Sequence, residues 1–146
     1  MAETAVHQFP LRIYYEDTDA GGIVYYANYL RFAERARSEM LRAAGIESAR
    51  LMAEDRVALA VRRCAVDYLK PARLDDEVVV ETEVVKVGGA SLDARQVVRR
   101  GGEALVRMEL KLGCMSLDGG VARMPAELRR RLRDFVDGET TRAIQG

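Results

Sequence analysis

Seven of the nine aromatic residues, Phe9, Tyr14, Tyr15, Tyr25, Tyr26, Tyr29 and Phe32, fall between positions 9 and 32, flanking the stretch Glu16-Asp17-Thr18-Asp19-Ala20-Gly21-Gly22. Two readings are open. One is a solvated acidic turn between a core strand and a core helix, and the other is a carboxylate at the mouth of an apolar slot. The second has a definite chemistry. Gly21-Gly22-Ile23-Val24 leads into a helix start, where backbone N–H groups lack intrahelical acceptors and favour negative charge. A carboxylate beside such a donor is enough to hydrolyse an activated acyl group. A thioester carbonyl is weakly resonance-stabilised and needs only polarisation at oxygen and a nucleophile, which is either water activated by Asp or the Asp itself.

Asp17-Thr18-Asp19 is also a D-x-D pattern that, with Asp75-Asp76, could chelate Mg²⁺ on a phosphate substrate. Gly21 and the absence of a parallel βα core speak against that version, and Asp75-Asp76 reads as a turn that starts a strand. The single histidine, His7, lies near the N-terminus in a segment expected to fray, which leaves little room for Ser-His-Asp, Cys-His or multi-histidine metal chemistry. Cys64 and Cys114 sit among apolar or strand-like neighbours and read as buried thiols. No metal is expected from these residues.

The elements that must position these residues follow from periodicity. Phe9, Leu11, Ile13 and Tyr15 alternate with polar positions and predict a half-buried strand. Tyr29, Phe32, Ala33, Ala36, Met40, Leu41 and Ala44 share one helical stripe, with Asn28 expected to cap its start and Gly45 to end it. A short helical piece is expected over 48–55. Strands follow over 57–68, 77–87, 91–100 and 104–117, the last three forming a meander whose turns carry Gly88-Gly89 and Gly101-Gly102, expected to supply positive φ. A basic helix over 125–136 closes the chain. One strand, a long helix and four strands make an α+β fold with a helix on an antiparallel sheet, not a Rossmann alternation. Its outermost strands would be bare edges, for which edge-to-edge dimerisation is the simplest remedy.

With 146 residues, 49% hydrophobic and 32% charged, the chain has the size and composition of one soluble domain spanning 1–146. Lys+Arg and Asp+Glu are 23 each, so no global positive bias points to nucleic acid. No apolar run reaches membrane-helix length and the first residues lack the pattern of a secretory leader, so a cytoplasmic location is expected.

The run from Arg12 to Tyr29, with the Leu30-Arg-Phe-Ala-Glu-Arg-Ala-Arg-Ser-Glu-Met-Leu41 that follows, resembles the 4-hydroxybenzoyl-CoA thioesterase family of hotdog-fold proteins. Val61-Arg-Arg and Tyr68-Leu-Lys-Pro-Ala-Arg-Leu-Asp-Asp76 are similar to its YbgC-type branch, associated with the Tol–Pal envelope system. The resemblance covers about 9–117. It implies a long helix wrapped by a five-stranded antiparallel sheet, homodimers that assemble to homotetramers, and hydrolysis of acyl-CoA without metal or cofactor. It assigns the functional carboxylate to Asp19 rather than Asp17, as nucleophile or general base, and polarisation of the thioester carbonyl to the backbone amide of Tyr26.

Two departures stand out. Many members of the branch carry His where this chain has Tyr26, although a backbone donor does not depend on the side chain. The benzoyl branch holds CoA phosphates with a basic run where this chain has Val87-Gly88-Gly89-Ala90-Ser91. Tyr25, Tyr29 and Phe32 are expected as walls of the acyl site. Ser91 either hydrogen-bonds CoA or closes the hairpin. Arg62, among the 20 arginines, is a phosphate contact or a solvated strand residue. The alternative function is a non-catalytic module binding acyl-CoA or acyl carrier protein for an envelope complex.

Overall fold

The structure is a computed structural model that describes residues 5–137. Five strands form one antiparallel sheet: β1 (Val6–Arg12), β2 (Val57–Tyr68), β3 (Glu77–Val87), β4 (Ser91–Arg100) and β5 (Glu103–Ser116), in the order β1-β3-β4-β5-β2. The meander β3-β4-β5 is the centre, and β1 and β2 are its edges. Helix α1 (Asn28–Ala43) packs on one face, followed by the short α2 (Ser48–Arg50) with a wide turn over Leu51–Asp55, and α3 (Ala126–Val136) covers the other end of the same face.

The alternation of each central strand decides which face is dry. Val78, Val80, Thr82 and Val84 of β3, Leu92, Ala94, Gln96 and Val98 of β4, and Val106, Met108, Leu110 and Leu112 of β5 are buried. They meet the whole helical stripe from Tyr29 to Ala44. Ala33 and Ala36 are fully buried and let the helix axis come close to the sheet. Gly45, at φ +80°, ends α1 as expected: its N–H donates to the carbonyl of Arg42 and that of Ile46 donates to Leu41.

Several expectations are corrected. β1 stops at Arg12, and Tyr15, instead of continuing the alternation, is 82% exposed at the start of a turn of 3₁₀ helix over Tyr15–Asp17. Asn28 is the first residue of α1, and its side chain caps nothing there. Gly101 has φ +59°, but Gly88, Gly89 and Gly102 do not enter the positive-φ region. At Gly88 the constraint is close approach, since a Cβ would lie 3.2 Å from the Ser91 carbonyl oxygen. Cys114 is buried, whereas Cys64 is exposed because its strand has no neighbour on one side. His7 belongs to β1, opposite Thr82, with its Nδ1 buried and unpartnered among the described residues. Burial lowers its pKa from 6.5, against the pull of Glu39.

Candidate active site

The loop between β1 and α1 folds back on itself. The Asp19 N–H donates to the Ile23 carbonyl at 3.0 Å and Gly22 returns a bond to the Asp19 carbonyl at 3.0 Å, while Thr18 and Val24 pair as an isolated bridge. The Asp17 carbonyl, at the root of the loop, accepts the Tyr25 N–H at 3.2 Å and the Asn28 side-chain amide at 2.9 Å. This binds the loop to the first turn of α1.

The two aspartates have different surroundings. Asp17 Oδ2 accepts the Tyr14 N–H at 2.9 Å and is used in holding the 3₁₀ turn. Asp19 is exposed at the loop tip, and among the described residues its carboxylate accepts the Gly21 N–H alone, at 2.9 Å to Oδ1. Among the described residues no group of three or more His, Cys, Asp or Glu side chains is gathered as a metal-binding cluster. At the start of α1 the N–H groups of Asn28 and Tyr29 donate to the carbonyls of Tyr25 and Tyr26, but the Tyr26 N–H reaches no acceptor among the described residues.

A second segment, 69–76, buttresses the loop. The Val24 N–H donates to the Ala72 carbonyl at 2.9 Å, and Leu74 donates to Gly22 at 3.0 Å. Ala72 in turn donates its N–H to the buried Tyr29 hydroxyl at 2.8 Å. Asp76 accepts Arg100 at 2.7 Å and the Arg73 N–H at 2.9 Å. Burial alone would raise the Asp76 carboxyl, but those donors outweigh it and hold it below the usual carboxylate range. Arg100 also pairs with Glu103, which Lys70 contacts from its other side, so one ion network fixes both ends of the segment.

The expected aromatic walls divide into two kinds. Tyr25 and Tyr26 are 48% and 60% exposed, with ring centres 4.8 Å apart. Tyr29 and Phe32 are core residues, packed edge to face, and Tyr29 has its hydroxyl committed to Ala72. Burial raises the pKa of that phenol. Sequence reasoning missed Tyr68. At the end of β2, its ring stands 6.0 Å from Tyr26 and 5.8 Å from Tyr29, and its hydroxyl donates to the Tyr26 carbonyl at 3.4 Å.

Ser91 and Arg62 are not brought to this loop. Ser91 pairs with Gly113, and the Arg62 stem lies across Gly113, where an added Cβ would meet Arg62 Cδ at 2.5 Å. Asp19 sits beside the start of β3 and Ser91 just beyond its end, which for 11 residues is about 35 Å of strand.

A long helix held against a five-stranded antiparallel sheet, with a carboxylate loop at the helix N-terminus, defines the hotdog class of fold. The model of the family described as "Thioesterase superfamily" matches residues 21–107. The chain is 46% identical over 109 residues to the acyl-CoA thioesterase YbgC of Haemophilus influenzae, covering 75% of this chain and 80% of that protein. It is 53% identical over 89 residues to the acyl-CoA thioester hydrolase YbgC of Escherichia coli O6:H1, covering 61% and 66% respectively. The crystal structure of a probable thioesterase from Bartonella henselae superposes with a TM-score of 0.79 at 31% identity, covering 83% of this chain and 100% of that one. The chain belongs to the thioesterase superfamily.

Proposed function

We propose that this protein hydrolyses acyl-CoA thioesters, with Asp19 as nucleophile or general base and the Tyr26 N–H as the donor to the thioester oxygen. One observation carries the reading. The Asp19 carboxylate and the Tyr26 N–H are brought to one loop-helix junction, and each keeps capacity that no described residue uses.

As the carbonyl carbon becomes tetrahedral, its oxygen gains charge, and a fixed N–H at a helix N-terminus stabilises that charge more than it does the ground state. Collapse expels the CoA thiolate. If Asp19 attacks directly, a mixed anhydride forms and water cleaves it. If Asp19 acts as a base, water attacks and its proton passes to the carboxylate.

The active assembly includes a second copy paired along β2. Of the two sheet edges, β1 carries Pro10, which cannot donate, whereas β2 is a 12-residue edge without proline that leaves Val61 46% exposed. Antiparallel pairing about the middle of β2 brings the first half of one copy beside the Tyr68 end of the other. The partner's Ser91 turn thereby approaches Asp19, so CoA contacts cross the subunit boundary. Homotetramers would be built from such dimers.

The test is release of free thiol from short, long and aromatic acyl-CoAs without added metal. Turnover on part of that panel is expected. No turnover on any member, together with mass-spectrometric retention of uncleaved acyl-CoA, would overturn the reading in favour of a binding module.

A further inference from the structure

Within the core there is a polar chain that the proposed mechanism does not use. Thr82 and Gln96 are the two polar residues among the buried set, each at 0% exposure. Gln96 Nε2 donates to Thr82 Oγ1 at 2.9 Å and to the Ala33 carbonyl at 3.0 Å, which fixes the amide across the sheet-helix interface. Its Oε1 is then left to accept from Arg37, whose guanidinium donates at 3.0 Å. Burying two polar side chains is costly unless they are fully paired. What this pair achieves is to hold one guanidinium in place.

Arg37 makes no ion pair among the described residues. It is half-buried and borders a cavity of about 410 Å³ between α1 and β2, whose walls include Met40, Leu41, Met52, Leu59 and Leu112. A guanidinium has five N–H donors, and the hydrogen bond to Gln96 uses one of them. An apolar cavity with a fixed, unpaired cation in its wall suits a ligand that is apolar along its length and anionic at one end.

The cavity borders α1, whose first residue, Asn28, lies two positions after Tyr26. Position 37 is eleven residues past Tyr26, about 16 Å along the helix axis, and an arginine side chain leans back toward the helix N-terminus. That separation fits an acyl chain of medium length, with its thioester at Tyr26 and its far end at Arg37. Glu34 also lines the cavity and is exposed, while Arg37 is half-buried. A second copy along β2 would roof the open side and strengthen any ion pair formed there.

We propose that Arg37 is a specificity-determining residue that reads a carboxylate at the far end of the acyl group, so that the preferred substrates are CoA monothioesters of dicarboxylic acids. This rests on the thioesterase reading above. The test compares kcat/KM for adipoyl-, suberoyl- and sebacoyl-CoA with that for hexanoyl-, octanoyl- and decanoyl-CoA in wild type, Arg37→Met and Arg37→Lys. A carboxylate preference is expected at one chain length. Arg37→Met should lower the carboxyl-to-methyl ratio at that length about tenfold or more, whatever its absolute rate. Arg37→Lys should restore part of the ratio, and Glu34→Gln should raise it by removing a like charge. A ratio that Arg37→Met leaves unchanged overturns the proposal. If no thioester is cleaved at all, the thioesterase reading fails separately, and calorimetric titration with free suberate still decides. Saturable binding that is lost in Arg37→Met and kept in Arg37→Lys supports the anion site, and no binding to wild type overturns it.

Discussion

The side-chain amide of Asn28 donates to the main-chain carbonyl of Asp17 at 2.9 Å, so the first residue of α1 holds the root of the loop that carries Asp19. Tyr26, two residues before α1, has an N–H with no acceptor among the described residues, and Asn28 fixes the carboxylate loop relative to it. Replacing Asn28 by Ala removes the clasp but leaves the buried stripe of α1 intact. The expected result is a loss of about 1 kcal/mol or less in stability and a fall in kcat of about tenfold or more. Thermal melting and steady-state thiol release read the two effects separately, and an unchanged kcat would show that the clasp does not position the site.

Tyr29→Phe tests the buttress. The substitution keeps the ring but leaves the Ala72 N–H buried without its acceptor. A cost of about 1–3 kcal/mol in denaturant unfolding is expected, with a loss of activity transmitted through the Ala72–Val24 bond.

His7 gives a pH signature. Its folded pKa lies below 6.5, so the unfolded chain takes up the proton first. The stability it contributes is complete above 6.5 and is lost as pH falls through that value toward the folded one. Wild type should lose Tm relative to His7→Gln between neutral and mildly acid pH, and parallel Tm profiles would contradict this.

Val61→Glu tests the β2 edge. An exposed valine in an isolated chain tolerates the change, but a valine at a subunit interface does not. Light scattering should show wild type as a dimer or larger and the variant shifted toward monomer, with thiol release falling in step. A monomeric wild type would remove the proposed pairing.

Much of this fold is legible in the sequence because alternation and paired glycines mark β3, β4 and β5, and a seven-residue stripe marks the buried side of α1. Where sequence reasoning fails, the cause is topology. Cys64 has the neighbours of a core thiol, yet it lies on the strand that the sheet order places at an edge. Tyr29 and Phe32 are aromatic and adjacent to the acidic loop, which suits a ligand wall as well as a core. Only the packing of α1 on β3 and its neighbours assigns them to the core. Tyr68 meets Tyr26 across 42 positions of sequence, and Arg37 meets Gln96 across 59, so neither contact has a local signal.

The proposed mechanism requires Asp19 rather than Asp17 as the reacting carboxylate. The most direct test is kcat for thiol release by Asp19→Asn and Asp17→Asn on the best acyl-CoA of the panel, with circular dichroism confirming that both fold. Asp19→Asn should lower kcat by about a hundredfold or more. Asp17→Asn, which disturbs only the bond to the Tyr14 N–H, should keep a substantial part of wild-type turnover. Wild-type kcat in Asp19→Asn would contradict the central claim.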